Sequence, residues 1–110
     1  MNYNKMDISV IIPLYNEEES LTELYLWIQR VMEEAGFTYE VVFVDDGSTD
    51  GSWDVIQGLK EQYGDAVHGI KFRRNYGKSP ALYCGFARAR GEVVITMDAD
   101  LQDSPDEIPE

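Results

Sequence analysis

Positive charge is scarce in this chain. Nine Lys and Arg stand against 21 Asp and Glu, giving a formal net charge of −12 and a pI near 4.3. Phosphate backbones and anionic lipid are gripped by clustered Lys and Arg, so nucleic acid is excluded as a partner and acidic membrane surfaces are disfavoured. Cysteine is nearly absent too. With Cys84 alone, no intrachain disulfide forms, in keeping with a reducing compartment. No run approaches the ~18 apolar residues that cross a bilayer, and the opening "MNYNKMDISV" lacks the apolar core of a signal peptide. The single histidine, His68, falls in a strand and reads as structural. Repeats, low-complexity tracts and linkers are missing as well.

What remains is a 110-residue chain, 44% hydrophobic and 27% charged, enough for one globular domain with its own core. The residues 8–14 form a nearly continuous apolar run, the pattern of a strand covered on both faces. Asn16 is expected to cap a helix with Glu17, Glu18 and Glu19 in its first turn, where the macrodipole favours acids. Leu21, Leu24, Tyr25, Ile28, Val31, Met32 and Ala35 recur on one helical stripe, and Gly36 stops it. A second strand at 39–44 runs into the turn-rich "DDGSTDG". A helix at 52–63, a strand at 66–72, a break at "RRNYGKS", a helix at 80–90 closed by Gly91 and a strand at 92–97 follow. Ser104 and Glu107, with Pro105 between them, have the form of a capping box. The order βαβαβαβ predicts an α/β fold, a doubly wound, mainly parallel sheet with strand order 3-2-1-4. "SPDEIPE" starts an element without finishing it, so the chain is expected to be truncated at its C-terminal end.

A parallel sheet brings all strand C-termini to one rim. Here those ends are "PLYNEEE", "VDDGSTD", "RRNYGKS" and "MDADLQD". Asp98 and Asp100 leave the fourth strand beside the point where strand order reverses, the usual ligand crevice of open α/β sheets. Such a cluster of like charges calls for something to offset it. A hard cation, Mg2+ or Mn2+, suits carboxylate oxygens, and held by only one or two side chains it keeps positions open for a diphosphate. The plainer alternative is that these acids solvate a loop, and Asp106 and Glu107 fit a helix first turn better than a metal site. "DDGSTDG" reads equally as an ordinary turn or as a loop offering an Asp to a base or ribose. Arg73, Arg74 and Lys78, the basic cluster at this rim, suit phosphate or ion pairs with the surrounding acids. Cys84 reads as a small core residue, while Trp27 and Trp53 fit packing or an interface.

Four segments in order, "VIIPLYNEEESL", "EVVFVDDGSTDGS", "RRNYGKSPAL" and "VVITMDADLQDSPDEIP", resemble family 2 glycosyltransferases. The likeness is to the branch with dolichol-phosphate mannose synthase and bacterial polyprenyl-phosphate sugar transferases. It covers almost the whole chain. It implies a GT-A nucleotide-diphospho-sugar-binding fold, with residues 1–110 as a single nucleotide-sugar-binding domain. By the resemblance Pro13, Tyr15 and Glu17 match a first nucleotide-contacting loop, and Val44 and Asp46 a second, with Asp46 toward the base. Lys78, Ala99 and Asp100 join the nucleotide-sugar set. Asp98 and Asp100 match the metal pair, and Gln102 a further metal position.

The implied activity is inverting transfer of a sugar from a nucleotide-diphospho-sugar to an acceptor, a polyprenyl phosphate or a saccharide. Acceptor-side residues are expected beyond Glu110, so this chain by itself is expected to bind donor with little turnover. The expected location is cytoplasmic, with the intact protein membrane-associated. Two rivals stand beside this: a receiver-like phosphoacceptor domain, which also gathers acids on such a rim, and a non-catalytic acidic binding module. The fourth strand is apolar enough to be internal, so an uncovered edge there is expected to support homodimers.

Overall fold

A computed structural model describes residues 6–100. Strands β1 (Met6–Leu14), β2 (Tyr39–Asp45), β3 (Val67–Lys71) and β4 (Gly91–Thr96) alternate with helices α1 (Leu21–Ala35), α2 (Ser52–Tyr63) and α3 (Lys78–Arg88). A short 3-10 turn, Gly64–Ala66, leads into β3. All pairings are parallel and the strand order is β3-β2-β1-β4, as the alternation predicts. The reversal of order therefore falls between β1 and β4.

β1 and β2 are covered on both faces, which explains their unbroken apolar runs, whereas β4 leaves Val93 and Val94 exposed. On one face Ile8, Val10, Ile12 and Phe43 pack against Leu24, Tyr25 and Ile28 of α1 and Ile56 and Leu59 of α2. On the other, Ile11, Val42 and Val44 meet Ala81 of α3. There α3 lies close to the sheet: a Cβ on Gly85 would come 2.3 Å from Ile11 Cγ2. Gly36 closes α1 in the left-handed conformation at φ 78°. Cys84, expected in the core, is only half-buried.

Three sequence expectations fail locally. Asn16 does not cap α1, which begins at Leu21 after Ser20. Asn16 is in the left-handed region at φ 54° and spends its side chain on the neighbouring loop, so Glu17–Glu19 precede the helix and only Glu23 lies in its first turn. The third helix starts at Lys78 and ends at Arg88, because Arg90 is drawn into hydrogen bonds with Glu40. Gly91 belongs to β4, where a Cβ would sit 2.4 Å from Ser9 N. The capping box at Ser104 and Glu107 lies outside the described residues. Among the described residues no helix is long and apolar enough to cross a membrane.

Candidate active site

The first two rim loops are laced together through Asn16. Its backbone N–H donates to Ser48 Oγ at 2.8 Å. Its Oδ1 accepts from Thr49 N at 2.8 Å and Asp50 N at 3.2 Å. Glu17 N donates to Ser52 Oγ at 3.0 Å. Asp50 in turn accepts from Ser52 N and Oγ, at 2.9 and 2.6 Å, closing the first turn of α2. Partial burial pushes the Asp50 carboxyl up, but the hydrogen bonds from Ser52 outweigh it and the net shift is downward.

The second loop grips the third. Asp46 is buried, and its two oxygens accept from Tyr76 N at 2.7 Å and Gly77 N at 2.9 Å. Gly47, at φ 80°, lies against the 74–75 backbone so closely that a Cβ would come 2.2 Å from the Arg74 carbonyl carbon. Asp45 is fully buried; its Oδ1 accepts from Ser48 N at 2.8 Å, and its Oδ2 has no hydrogen-bond partner among the described residues. Arg74 spends its guanidinium over the Tyr76 ring, 5.0 Å from the centroid.

The chain leaving β4 alternates. Met97 and Ala99 are buried, while Asp98 is half-exposed and Asp100 exposed, which leaves both carboxylates on the accessible side. Met97 N donates to Ile11 O at 3.0 Å, and Ser20 Oγ donates to Ala99 O at 2.6 Å. The Glu17 carboxylate lies 3.3 Å from that same hydroxyl. Lys78, at the start of α3, brings Nζ within 3.2 Å of Asp98 Oδ1.

Of the residues singled out in the sequence, Pro13, Tyr15, Asp46, Lys78 and Asp98 line one cleft of about 170 Å³. A second recess of about 110 Å³ shares Pro13, Lys78 and Asp98 with it. Glu17 stands beside the Ser20 bridge. Val44 is fully buried in the cluster facing α3, so its side chain reaches no cleft, and Ala99 is buried beneath the final turn. Gln102 lies outside the described residues.

The donor set fits a hard cation. Asp98 and Asp100 offer accessible carboxylate oxygens of the type that Mg2+ and Mn2+ prefer. Among the described residues no three His, Cys, Asp or Glu side chains gather into a metal-holding group. A cation on these two would therefore complete its shell with water and phosphate oxygens.

One polar centre escaped the sequence altogether. Glu40 is fully buried at the opposite edge of the sheet, accepting from Ser9 Oγ at 2.5 Å, Arg90 N at 2.6 Å and Arg90 Nε at 3.2 Å. Burial alone would raise its carboxyl, but the hydrogen bonds from Ser9 and Arg90 outweigh burial and hold it below the usual range. His68 Nε2 lies 3.4 Å from Glu40 Oε1, and Arg88 meets His68 Nδ1 at 3.0 Å. The available signal was a lone Glu inside the apolar run "YEVVFVD".

Known proteins share this architecture. A solved mannosyltransferase of Pyrobaculum calidifontis, in complex with GDP-Man and Mn2+, superposes with TM-score 0.75 at 29% identity, over 96% of this chain and 31% of its own. Staphylococcus aureus TarS with UDP-GlcNAc gives TM-score 0.69 at 28% identity, over 86% and 27%. The undecaprenyl-phosphate 4-deoxy-4-formamido-L-arabinose transferases of Pseudomonas aeruginosa LESB58 and Aeromonas hydrophila are 48% and 44% identical over 102 residues. Those residues are 93% of this chain and 30% and 31% of the two relatives, so the chain spans about a third of their length. The sequence model of Glycosyl transferase family 2 matches residues 9–110, and on that match, together with the shared fold, the chain belongs to this glycosyltransferase family.

Proposed function

We propose that residues 1–110 form the donor-binding half of an inverting glycosyltransferase, which moves a sugar from a nucleoside diphosphate to a polyprenyl phosphate. The observation that carries this is the convergence of Pro13, Tyr15, Asp46, Lys78 and Asp98 on one cleft at the β1–β4 reversal. Relatives named as undecaprenyl-phosphate sugar transferases support the acceptor class, and a neighbour bound to GDP-Man and Mn2+ supports the donor and a divalent metal. Family membership favours the transferase reading over a receiver-like domain or a non-catalytic acidic module.

In this reading Asp98 and Asp100, with Gln102, would hold Mg2+ or Mn2+, which would supply charge stabilisation to a departing diphosphate. Lys78 adds a fixed positive charge at the same place. Pro13 and Tyr15 form the cleft wall on which the nucleotide lies, with Glu17 behind them. Asp46, seated at the floor by two backbone amides, faces the base, and Val44 sets the strand end beneath it. A polyprenyl phosphate is already ionised near neutral pH, so its oxygen attacks the anomeric carbon without a strong base; a saccharide hydroxyl would need one. The site works on the cytoplasmic side, facing a membrane that carries the acceptor.

Titrating UDP and GDP into the labelled chain, with Mg2+ for amide shifts and Mn2+ for paramagnetic broadening, tests the assignment. Metal-dependent changes are expected around Asp46, Gly77, Asp98 and Asp100. A folded chain that responds to neither nucleotide overturns it.

A further inference from the structure

A second cleft, about 250 Å³, opens along the outer side of β3, the edge strand at the other end of the sheet from β4. Its walls are Trp53, Gln57 and Lys60 of α2, His68 and Gly69 of β3, and Arg88 of α3. It shares no residue with the rim cleft. Its charge is the reverse of the molecule's: in a chain of net charge −12, no Asp or Glu among the described residues lines it.

The cations here are poorly neutralised. Arg90 is matched by Glu40 at 3.2 Å. Arg88 instead meets a neutral-type partner, His68 Nδ1 at 3.0 Å, and no carboxylate pairs with it among the described residues. Lys60 lies 3.9 Å from Asp65, whose side chain is 94% exposed, a contact worth little in water. His68 Nε2 faces both Glu40 Oε1 at 3.4 Å and Arg90 Nη2 at 3.2 Å; with its proton on Nε2, directed at Glu40, the ring leaves Nδ1 to accept from Arg88. Arg88 then has guanidinium donors to spare toward the cleft, and Gln57 adds an amide.

We propose that this cleft binds a small phosphate-class oxyanion, held by Arg88 and Lys60 with Gln57 as a neutral donor. Two cations on separate helices and an amide suit an anion with three oxygens and more than one charge better than a single carboxylate. The cleft also has room for such a group, being several times the roughly 30 Å³ share of one water. His68 reports occupancy. Burial, then the positive charges of Arg88 and Lys60, hold its ring below its ordinary value of 6.5, against the pull of Glu40, with Arg90 also lowering it. An anion beside Arg88 offsets that positive field, so binding raises the His68 pKa.

The test is a titration of inorganic phosphate into the 15N-labelled chain at constant ionic strength. Saturable shifts are expected at the Gly69 amide and the Trp53 indole, with an upward move of the His68 titration and no response at Asp46 or Asp98. Arg88→Gln is expected to weaken binding about tenfold or more, the scale of a lost charge-assisted contact. Lys60→Gln, on an exposed helix position, checks the same pocket should Arg88→Gln disturb the His68 network, and is expected to weaken binding about threefold. Vesicles of phosphatidate in neutral lipid distinguish the source: Arg88-dependent vesicle binding alongside saturable free phosphate assigns a lipid headgroup, and free phosphate alone assigns a soluble ligand. Linear, unsaturable shifts, retention of binding in both variants, or vesicle binding without phosphate saturation would overturn the proposal.

Discussion

The two ends of this sheet treat carboxylates in opposite ways. At the strand N-termini, Glu40 is buried to zero exposure and surrounded by donors from Ser9 and Arg90. At the strand C-termini, Asp98 and Asp100 stay accessible, with Lys78 beside one of them. A buried charge must have its partners built in, so the first arrangement is paid for at folding and stabilises only as a complete set. An accessible carboxylate keeps much of its hydration, so holding it at the surface costs little. The same chemical group therefore serves architecture at one edge and binding at the other, and burial decides which.

That contrast can be broken from either side. The largest effect is expected from Glu40→Ala, which strands Arg90 and the Ser9 hydroxyl. Loss of a buried partner costs about 3–5 kcal/mol, readable as a lower urea midpoint. A cost below about 1 kcal/mol would put this edge on the same footing as the rim. Gly47→Ala comes next, with strain of about 1–2 kcal/mol at φ 80° plus the clash with the 74–75 backbone. It is expected to displace the Tyr76–Gly77 turn and weaken nucleotide binding as well as lower Tm. Asp98→Asn with Asp100→Asn is expected to leave stability within about 0.5 kcal/mol. Metal-dependent nucleotide binding in that variant, followed by calorimetry, should fall about tenfold or more.

Acidification probes the Glu40 edge more gently. Folding holds His68 below its ordinary 6.5 and Glu40 below its ordinary 4.5, so the unfolded chain binds more protons as pH falls. Stability is expected to be full above pH 6.5, to decline as pH drops through the histidine range, and to decline again below 4.5. Thermal melts of His68→Gln should lack the first decline; if they keep it, another group titrates there. The smallest effect concerns β4, whose Val93 is 54% exposed and Val94 39%. Among the described residues no strand pairs its outer edge. Weak, concentration-dependent dimers of the 110-residue chain are expected in light scattering, and a clean monomer at high concentration would speak against edge pairing.

Much of this was legible in the sequence for physical reasons. Doubly covered strands must be apolar throughout, so 8–14 and 39–44 announced themselves, and alternation with amphipathic helices left little choice of topology. The rim residues were legible because turns after buried strands gather at one end. Asn16 was misjudged because a side chain that can cap a helix can equally latch a neighbouring loop, and only the fold brings 48–50 within its reach. Glu40 was invisible as a network because its partners, Ser9 and Arg90, are 31 and 50 residues away. Arg90 also shortened α3, a tertiary demand that no local propensity registers.

The Ser20 hydroxyl bonded to the Ala99 carbonyl joins positions 79 residues apart. A ribosome must therefore finish four strands before the first loop can find its last partner. Until then the Ser20 hydroxyl lacks its partner at Ala99, and the aspartates on either side of that carbonyl have no fixed place to stand. The rim crevice at the β1–β4 reversal is thus completed only once residue 99 is in place, however early its opening residues emerge.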